Sequence, residues 1–262
     1  MRFWVISAAA SIALIVIATA CLGATPERPP EAKPWDVALK LNLQTKHGAI
    51  SAYEPLVAEL EYRNVSGGTV WVVMDVGVTT LFEIADAKGK VLAATPKREQ
   101  ASNYIYVPIE IPPGESRSNR LVLTALYTLK RPGVYSVRVR QFGLSENSPA
   151  IAETSCAFRV LPFNSARLDA RCAELLKMGI GPNWSLKALY SMRHDVALPY
   201  LDRMVREWSD KYAVLTMRRI GTRKAKALID SYLARKDSVG HAARIGMKMS
   251  KDRDVAWEMN QY

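Results

Sequence analysis

The chain has 262 residues, 49% of them apolar, and carries 36 Lys and Arg against 25 Asp and Glu, a formal charge of +11. That length suits one large or two medium domains. Its three cysteines and three histidines are dispersed and form no CxxC pair, which excludes a zinc site of familiar spacing.

The amino terminus has the layout of a secretory signal. Arg2 supplies the positive charge, and residues 3–20 carry none. Small residues follow at Ala18-Thr19-Ala20 and again at Leu22-Gly23-Ala24, and cleavage is expected after Ala24, giving a signal peptide over 1–24. An uncleaved anchor is the first alternative, because the apolar run approaches the roughly 17–25 residues needed to span a bilayer. A lipid-modified Cys21 is the second, although Ala18 stands where such signals usually carry Leu. Residues 25–35, TPERPPEAKPW, hold four prolines and predict a stiff extended linker. The expected location is therefore outside the cytoplasm: periplasm, cell envelope or medium.

From residue 36 the apolar period becomes two. Val37, Leu39, Leu41 and Leu43 alternate with polar or small residues, as do Leu56, Ala58, Leu60 and Tyr62, and both runs predict half-buried strands. NVSGG at 64–68 is a turn, with Asn64 read as a turn residue tolerant of positive φ. Further strands are expected at 69–75, 81–86, 90–93, 104–111, 120–123, 133–141 and 153–161, with Pro112-Pro113-Gly114 stopping the one before it. About nine short strands with regular turn signals and no helical period predict an antiparallel β-sandwich over 36–162.

The order of features in this region resembles secreted bacterial immunoglobulin-like sandwiches, especially the domain type of the intracellular proteinase inhibitor family. The matching pieces are Tyr53-Glu54-Pro55, Asn64-x-Ser66, Pro113-Gly114-Glu115-Ser116, and Leu126-Tyr127 leading to Gly133-x-Tyr135-x-Val137. The last piece resembles a tyrosine corner. The resemblance covers about 125 residues. It implies the fold, and protease inhibition only faintly, since function does not follow from fold.

After Pro162 the period becomes helical. Leu168, Cys172, Leu175 and Leu176 form one stripe, and helices are expected at 184–193, 195–208, 210–220, 223–236 and 239–250. Asp195, Asp210, Thr222 and Ser238 stand at the breaks as N-cap candidates. Two segments match at an offset of 28: Met192 with Ile220, Ala197 with Ala225, Leu201 with Ile229 and Val205 with Leu233. Met249 and Val255-Ala256 are candidates to open a third copy. The pattern Ile220-Gly221-Thr222-x-x-Ala225 resembles short bacterial HEAT repeats, so a small α-helical repeat domain is expected over 163–262. This half is the basic one, with 19 Lys and Arg against 11 Asp and Glu.

Little in the sequence points to catalysis. His194-Asp195 is a His beside a carboxylate, but adjacent helical residues do not face one another, and Asp195 reads as a cap. No serine sits in a GxSxG context. Cys156 and Cys172 could form a disulfide stapling strand to helix, or be packed thiols. The cluster Arg218, Arg219, Arg223, Lys224 and Lys226 is a candidate contact for an anion or a partner, with a solvated turn as the bland alternative. The function expected is an exported non-catalytic binding or scaffold protein of the cell envelope with the helical repeat as docking surface. A protease inhibitor or protease-associated regulator, and a hydrolase with an unrecognised site, are the alternatives. No cofactor or metal is implied. The partner expected is a protein or an anionic envelope polymer rather than nucleic acid, and membrane contact would come only through an uncleaved signal or a lipidated Cys21.

Overall fold

The computed structural model describes residues 36–45, 47–74, 79–93, 108–143, 149–179 and 183–249. The expected signal peptide and linker, and the candidate third copy at Val255-Ala256, lie outside the described residues.

Two main sheets form. In the first, β1 (Val37–Gln44) and β7 (Ser116–Val122) flank β3 (Val57–Asn64), both antiparallel to it. In the second, β5 (Thr80–Asp86), β8 (Gly133–Phe142) and β9 (Ala150–Leu161) pair antiparallel, and β2 (Ala49–Ser51) adds to β9 in parallel. A short ribbon joins β4 (Val70–Val72) to β6 (Ile109–Ile111). Side-chain alternation makes this arrangement pay its way in buried area: Tyr135, Val137 and Val139 of β8 are buried, while Val134, Ser136 and Arg138 face out. One apolar core takes Leu41, Leu60, Tyr62 and Leu121 from the first sheet and Ile84, Val137, Val139 and Phe158 from the second. The polar groups inside it are paired. Gln141 accepts from the Thr80 hydroxyl (2.6 Å) and donates to Val73 O (3.1 Å), and Thr80 meets the Tyr62 hydroxyl (3.1 Å).

The corner residue behaves as its motif requires: the Tyr135 hydroxyl donates to Arg131 O at 2.9 Å. Several expectations need correction. Asn64 does not take a positive φ. It holds its turn through the side chain, donating to Gly68 O (2.7 Å) and Ile111 O (2.9 Å) and accepting from Ser66 N (2.8 Å). The expected strand at 90–93 is reduced to a single bridge, Val91 to Ala85. The strand expected at 120–123 begins earlier, at Ser116, and Leu123 instead opens a short helix, α1 (Leu123–Leu126).

The helices follow as α2 (Ser165–Met178), α3 (Asn183–Ser191), a 3-10 turn (Asp195–Ala197), α4 (Leu198–Trp208), α5 (Lys211–Ile220), α6 (Arg223–Leu233) and α7 (Ser238–Lys248). Asp210 caps α5 by accepting from Tyr212 N and Ala213 N, and Thr222 caps α6 by accepting from Ala225 N. Two expected caps move. Asp237, not Ser238, caps α7. Asp195 is not a cap; His194 Nδ1 accepts from Val196 N at 3.3 Å instead. Helix α5 packs against α3, α4, α6 and α7. The positions matched at offset 28 are buried in both copies at Ala197 and Ala225 and at Leu201 and Ile229, whereas Ile220 and Leu233 are half-buried. Gly246 lets α7 lie directly on α5, since a Cβ there would stand 2.7 Å from Lys211 O and 2.8 Å from Val214 Cβ.

Candidate functional site

The sheets and the helices meet at a built junction. After β2 the chain makes a tight turn in which Glu54 N donates to Ser51 O (3.0 Å), and Tyr53 occupies it with φ of 68°. A bulky residue in the left-handed region costs on the order of 1–3 kcal/mol. The surroundings hold it there: Ala52 N donates to Leu161 O and Tyr53 N to Leu129 O, each at 3.0 Å.

The turn directs Glu54 into the interface. Its Oε2 accepts from Ser51 N (2.7 Å) and from Arg167 Nε (2.7 Å), and Arg167 Nη2 also donates to Ala49 O (2.6 Å). The Glu54 side chain is only 11% exposed and that of Arg167 25%, so this is a largely buried ion pair to which backbone adds one bond on each side, Ser51 N on the carboxylate and Ala49 O on the guanidinium. The Ser51 hydroxyl bridges Pro162 O and Asn164 N, at 3.1 and 2.9 Å, which fixes the chain where it leaves β9 for α2. Apolar contact runs alongside: Val57 and Val122 of the first sheet belong to the same buried cluster as Leu168, Leu189 and Met192 of the helical part. Thr124 Oγ1 accepts from Leu56 N (3.1 Å) and meets the Ser191 hydroxyl (3.0 Å).

On the solvent side of this junction three rings gather. Tyr53 meets Phe163 edge-on (centroids 6.0 Å apart, 87°), and His194 lies against Phe163 (4.4 Å, 33°) and Tyr53 (5.2 Å). Phe163 remains 42% exposed. The exposed Lys130 and Arg131 follow directly on Leu129, which bonds Tyr53. Arg193 precedes His194, and exposed Arg159 lies on β9 opposite Ala49 and two residues before Leu161. None of these four cations forms an ion pair among the described residues.

The structure divides the basic cluster singled out in the sequence. Arg218 turns away from the α5–α6 connection and donates to Met247 O (2.9 Å) and Met249 O (2.6 Å), capping the end of α7. Arg219 is half-buried and partnered. Arg223, Lys224 and Lys226 stay exposed on the first turn of α6. The charge conflict at that helix start is eased from elsewhere in the chain: Thr222 Oγ1 donates to Asp195 Oδ1 at 2.6 Å, which brings a carboxylate to the positive end of α6.

Cys156 and Cys172 are free thiols, so of the two alternatives the staple is not made. Cys172 is fully buried in the helical core with its sulfur 3.1 Å from Met192 Sδ, and burial pushes its thiol up to about 12. Cys156 is half-buried at the edge of the sheet core. Among the described residues no group of three or more His, Cys, Asp or Glu is placed to hold a metal, and no helix is long and apolar enough to cross a membrane. A shallow polar groove on the outer face of the first sheet is lined by Asn42, Glu59, Glu61, Ser116, Arg117 and Ser118.

No protein-family model matches the chain, and no curated protein matches it. Among solved structures it is similar to the CARDB domain of a Pyrococcus furiosus protein, at 12% identity over 50% of this chain and 97% of that domain, with a TM-score of 0.28. A sporulation control protein from Bacillus subtilis matches at 9% identity over 55% of each chain, with a TM-score of 0.27. A β-glucosidase from Listeria innocua matches at 13% identity over 48% of this chain and 16% of the enzyme, with a TM-score of 0.27. Likenesses this slight transfer no activity, ligand or partner to the chain.

Proposed function

We propose that this chain is an exported, non-catalytic binding protein of the cell envelope. In this reading an immunoglobulin-like sandwich carries a short HEAT-like helical array, and the array docks a partner protein or an anionic polymer. The observation that supports it most is the continuity of the two parts. A stack of helix pairs needs its open end covered, and Val57 and Val122 supply that cover from the sheet side while Glu54 and Arg167 lock the angle. The recurrence at 28 residues, buried at Ala197 and Ala225 and at Leu201 and Ile229, fits the stacked-repeat reading. The result is a rigid presenting surface, which suits recognition.

Two measurements test the reading. Mass spectrometry of the native protein should find Thr25 at the amino terminus; a lipid-modified Cys21 or an intact Met1 would replace the proposed processing. Cross-linking in the intact envelope should capture a discrete partner through α3–α7. Stoichiometric inhibition of extracellular proteases by the full chain would instead favour the inhibitor reading.

A further inference from the structure

We propose that the sheet–helix junction is itself a binding site, and that its ligand is an anionic polysaccharide. The inference rests on the binding-protein reading and names both a surface and a ligand class for it.

Three observations converge on one place. First, Tyr53 is kept at a φ of 68° where Gly or Asn would sit without strain, and the half-buried ring delivered by that backbone supports the exposed Phe163. Second, Phe163 is braced by His194 and Tyr53, yet 42% of it faces solvent. Bracing removes rotamer freedom before a ligand arrives, which lowers the entropy cost of binding. Third, Lys130 and Arg131 follow the Leu129 whose carbonyl bonds Tyr53 N, Arg193 precedes His194 and Arg159 pairs with Ala49 on β2, and none of the four forms an ion pair among the described residues. The nearby carboxylates are already engaged, Glu54 with Arg167 and Asp195 with Thr222.

The chemistry favours a charged sugar chain. An aromatic surface without a deep pocket offers its apolar area to the flat C–H face of a pyranose. Guanidinium groups on the adjoining residues are suited to pair with carboxylates, two parallel N–H bonds to two oxygens. A polymer with one carboxylate per sugar presents both features at a regular spacing. An acidic peptide would use the cations but has no flat face to lay on Phe163.

The test uses the full chain and polygalacturonate, with dextran and poly-glutamate as comparison polymers. Binding is expected for polygalacturonate, weaker for poly-glutamate and absent for dextran, and it should fall as salt is raised from 0.05 to about 0.5 M. Phe163→Ala should weaken it about tenfold. Tyr53→Gly should weaken it too; because Tyr53 also packs against both cores, thermal unfolding of this variant is measured beside its binding, and Phe163→Ala, at an exposed ring, is the variant that decides. The double reversal Lys130→Glu with Arg131→Glu should abolish it, and Arg223→Glu with Lys224→Glu should leave it largely intact. Three results would overturn the proposal: equal binding of poly-glutamate with Phe163→Ala silent, which marks a purely electrostatic surface; equal loss from the α6 charge reversal, which places the site elsewhere; or no polygalacturonate binding at all. If cross-linking through the helices still captures a partner in any of those cases, the general binding function stands and only this site and ligand fail.

Discussion

Replacing Gly246 by Ala tests the close approach of α7 to α5. Alanine is the better helix former, worth about 1 kcal/mol over glycine in a helix interior. Against that, the new methyl would stand 2.7 Å from Lys211 O, 2.8 Å from Val214 Cβ and 3.0 Å from Val214 Cγ1, all inside the 3.4 Å at which ordinary contact begins. The carbonyl belongs to the first turn of α5 and cannot rotate away, so α7 must retreat by about 0.6 Å and loosen its contact with α5. Overpacking of this kind costs about 1–3 kcal/mol, and a backbone obstacle puts it in the upper half of that range. The net loss is then about 1–2 kcal/mol, or roughly 2–8 °C in Tm for a chain of this size. Thermal unfolding followed by circular dichroism at 222 nm measures it. Gly67→Ala, with nothing within 4 Å, serves as the control and should change stability by less than about 0.5 kcal/mol. A Gly246→Ala protein as stable as the parent would refute the close approach of α7 to α5.

Other outcomes follow from the same structure. Tyr135→Phe should cost about 1 kcal/mol through the lost bond to Arg131 O, read by urea denaturation. Arg218→Ala should leave the end of α7 uncapped, and hydrogen exchange of the last-turn amides should quicken before that of any other helix. An uncharged thiol reagent should modify Cys156 at least tenfold faster than Cys172, whose thiol is both buried and poorly ionised. Burial raises the folded-state pKa of the Tyr62, Tyr190 and Tyr232 hydroxyls above the ordinary 10.0, so their contribution to stability is complete below pH 10 and is lost as pH climbs beyond it. Absorbance at 295 nm should therefore show these tyrosines ionising only as the protein unfolds at high pH; reversible ionisation without unfolding would contradict their burial.

Where one face of a segment is wet, the sequence announced it. The alternation at 37–43 and 133–141 and the stripe Leu168, Cys172, Leu175 and Leu176 each follow from a single buried side, and all appear in place. β2 left no such trace, because three residues carry no period and its partner in β9 lies more than a hundred residues away in the chain. Asp195 reads locally as a cap for a related reason: its partner, Thr222, is 27 residues distant, and local spacing cannot reveal a bond between helices so far apart in the chain. The basic cluster looked uniform as a string of letters, yet α5 sends Arg218 toward α7 while α6 leaves Arg223 and Lys224 in water. At the junction, Tyr53-Glu54-Pro55 carries in the sequence only the mark of a fold type. Its positive φ and its contacts with Phe163, Arg167 and His194 depend on chain segments brought together by folding.

The Glu54–Arg167 pair, 113 residues apart along the chain, also sets how freely the two halves can be recombined. Cut at Pro162, the sheet half would keep a carboxylate built for a missing guanidinium and two valines built for missing helices. A helical half grafted onto a different β-sheet unit would need equivalents of Ser51, Glu54, Val57, Val122 and Thr124 to seat in the same way. An exchange of either half at the junction must therefore replace both sides of the lock together.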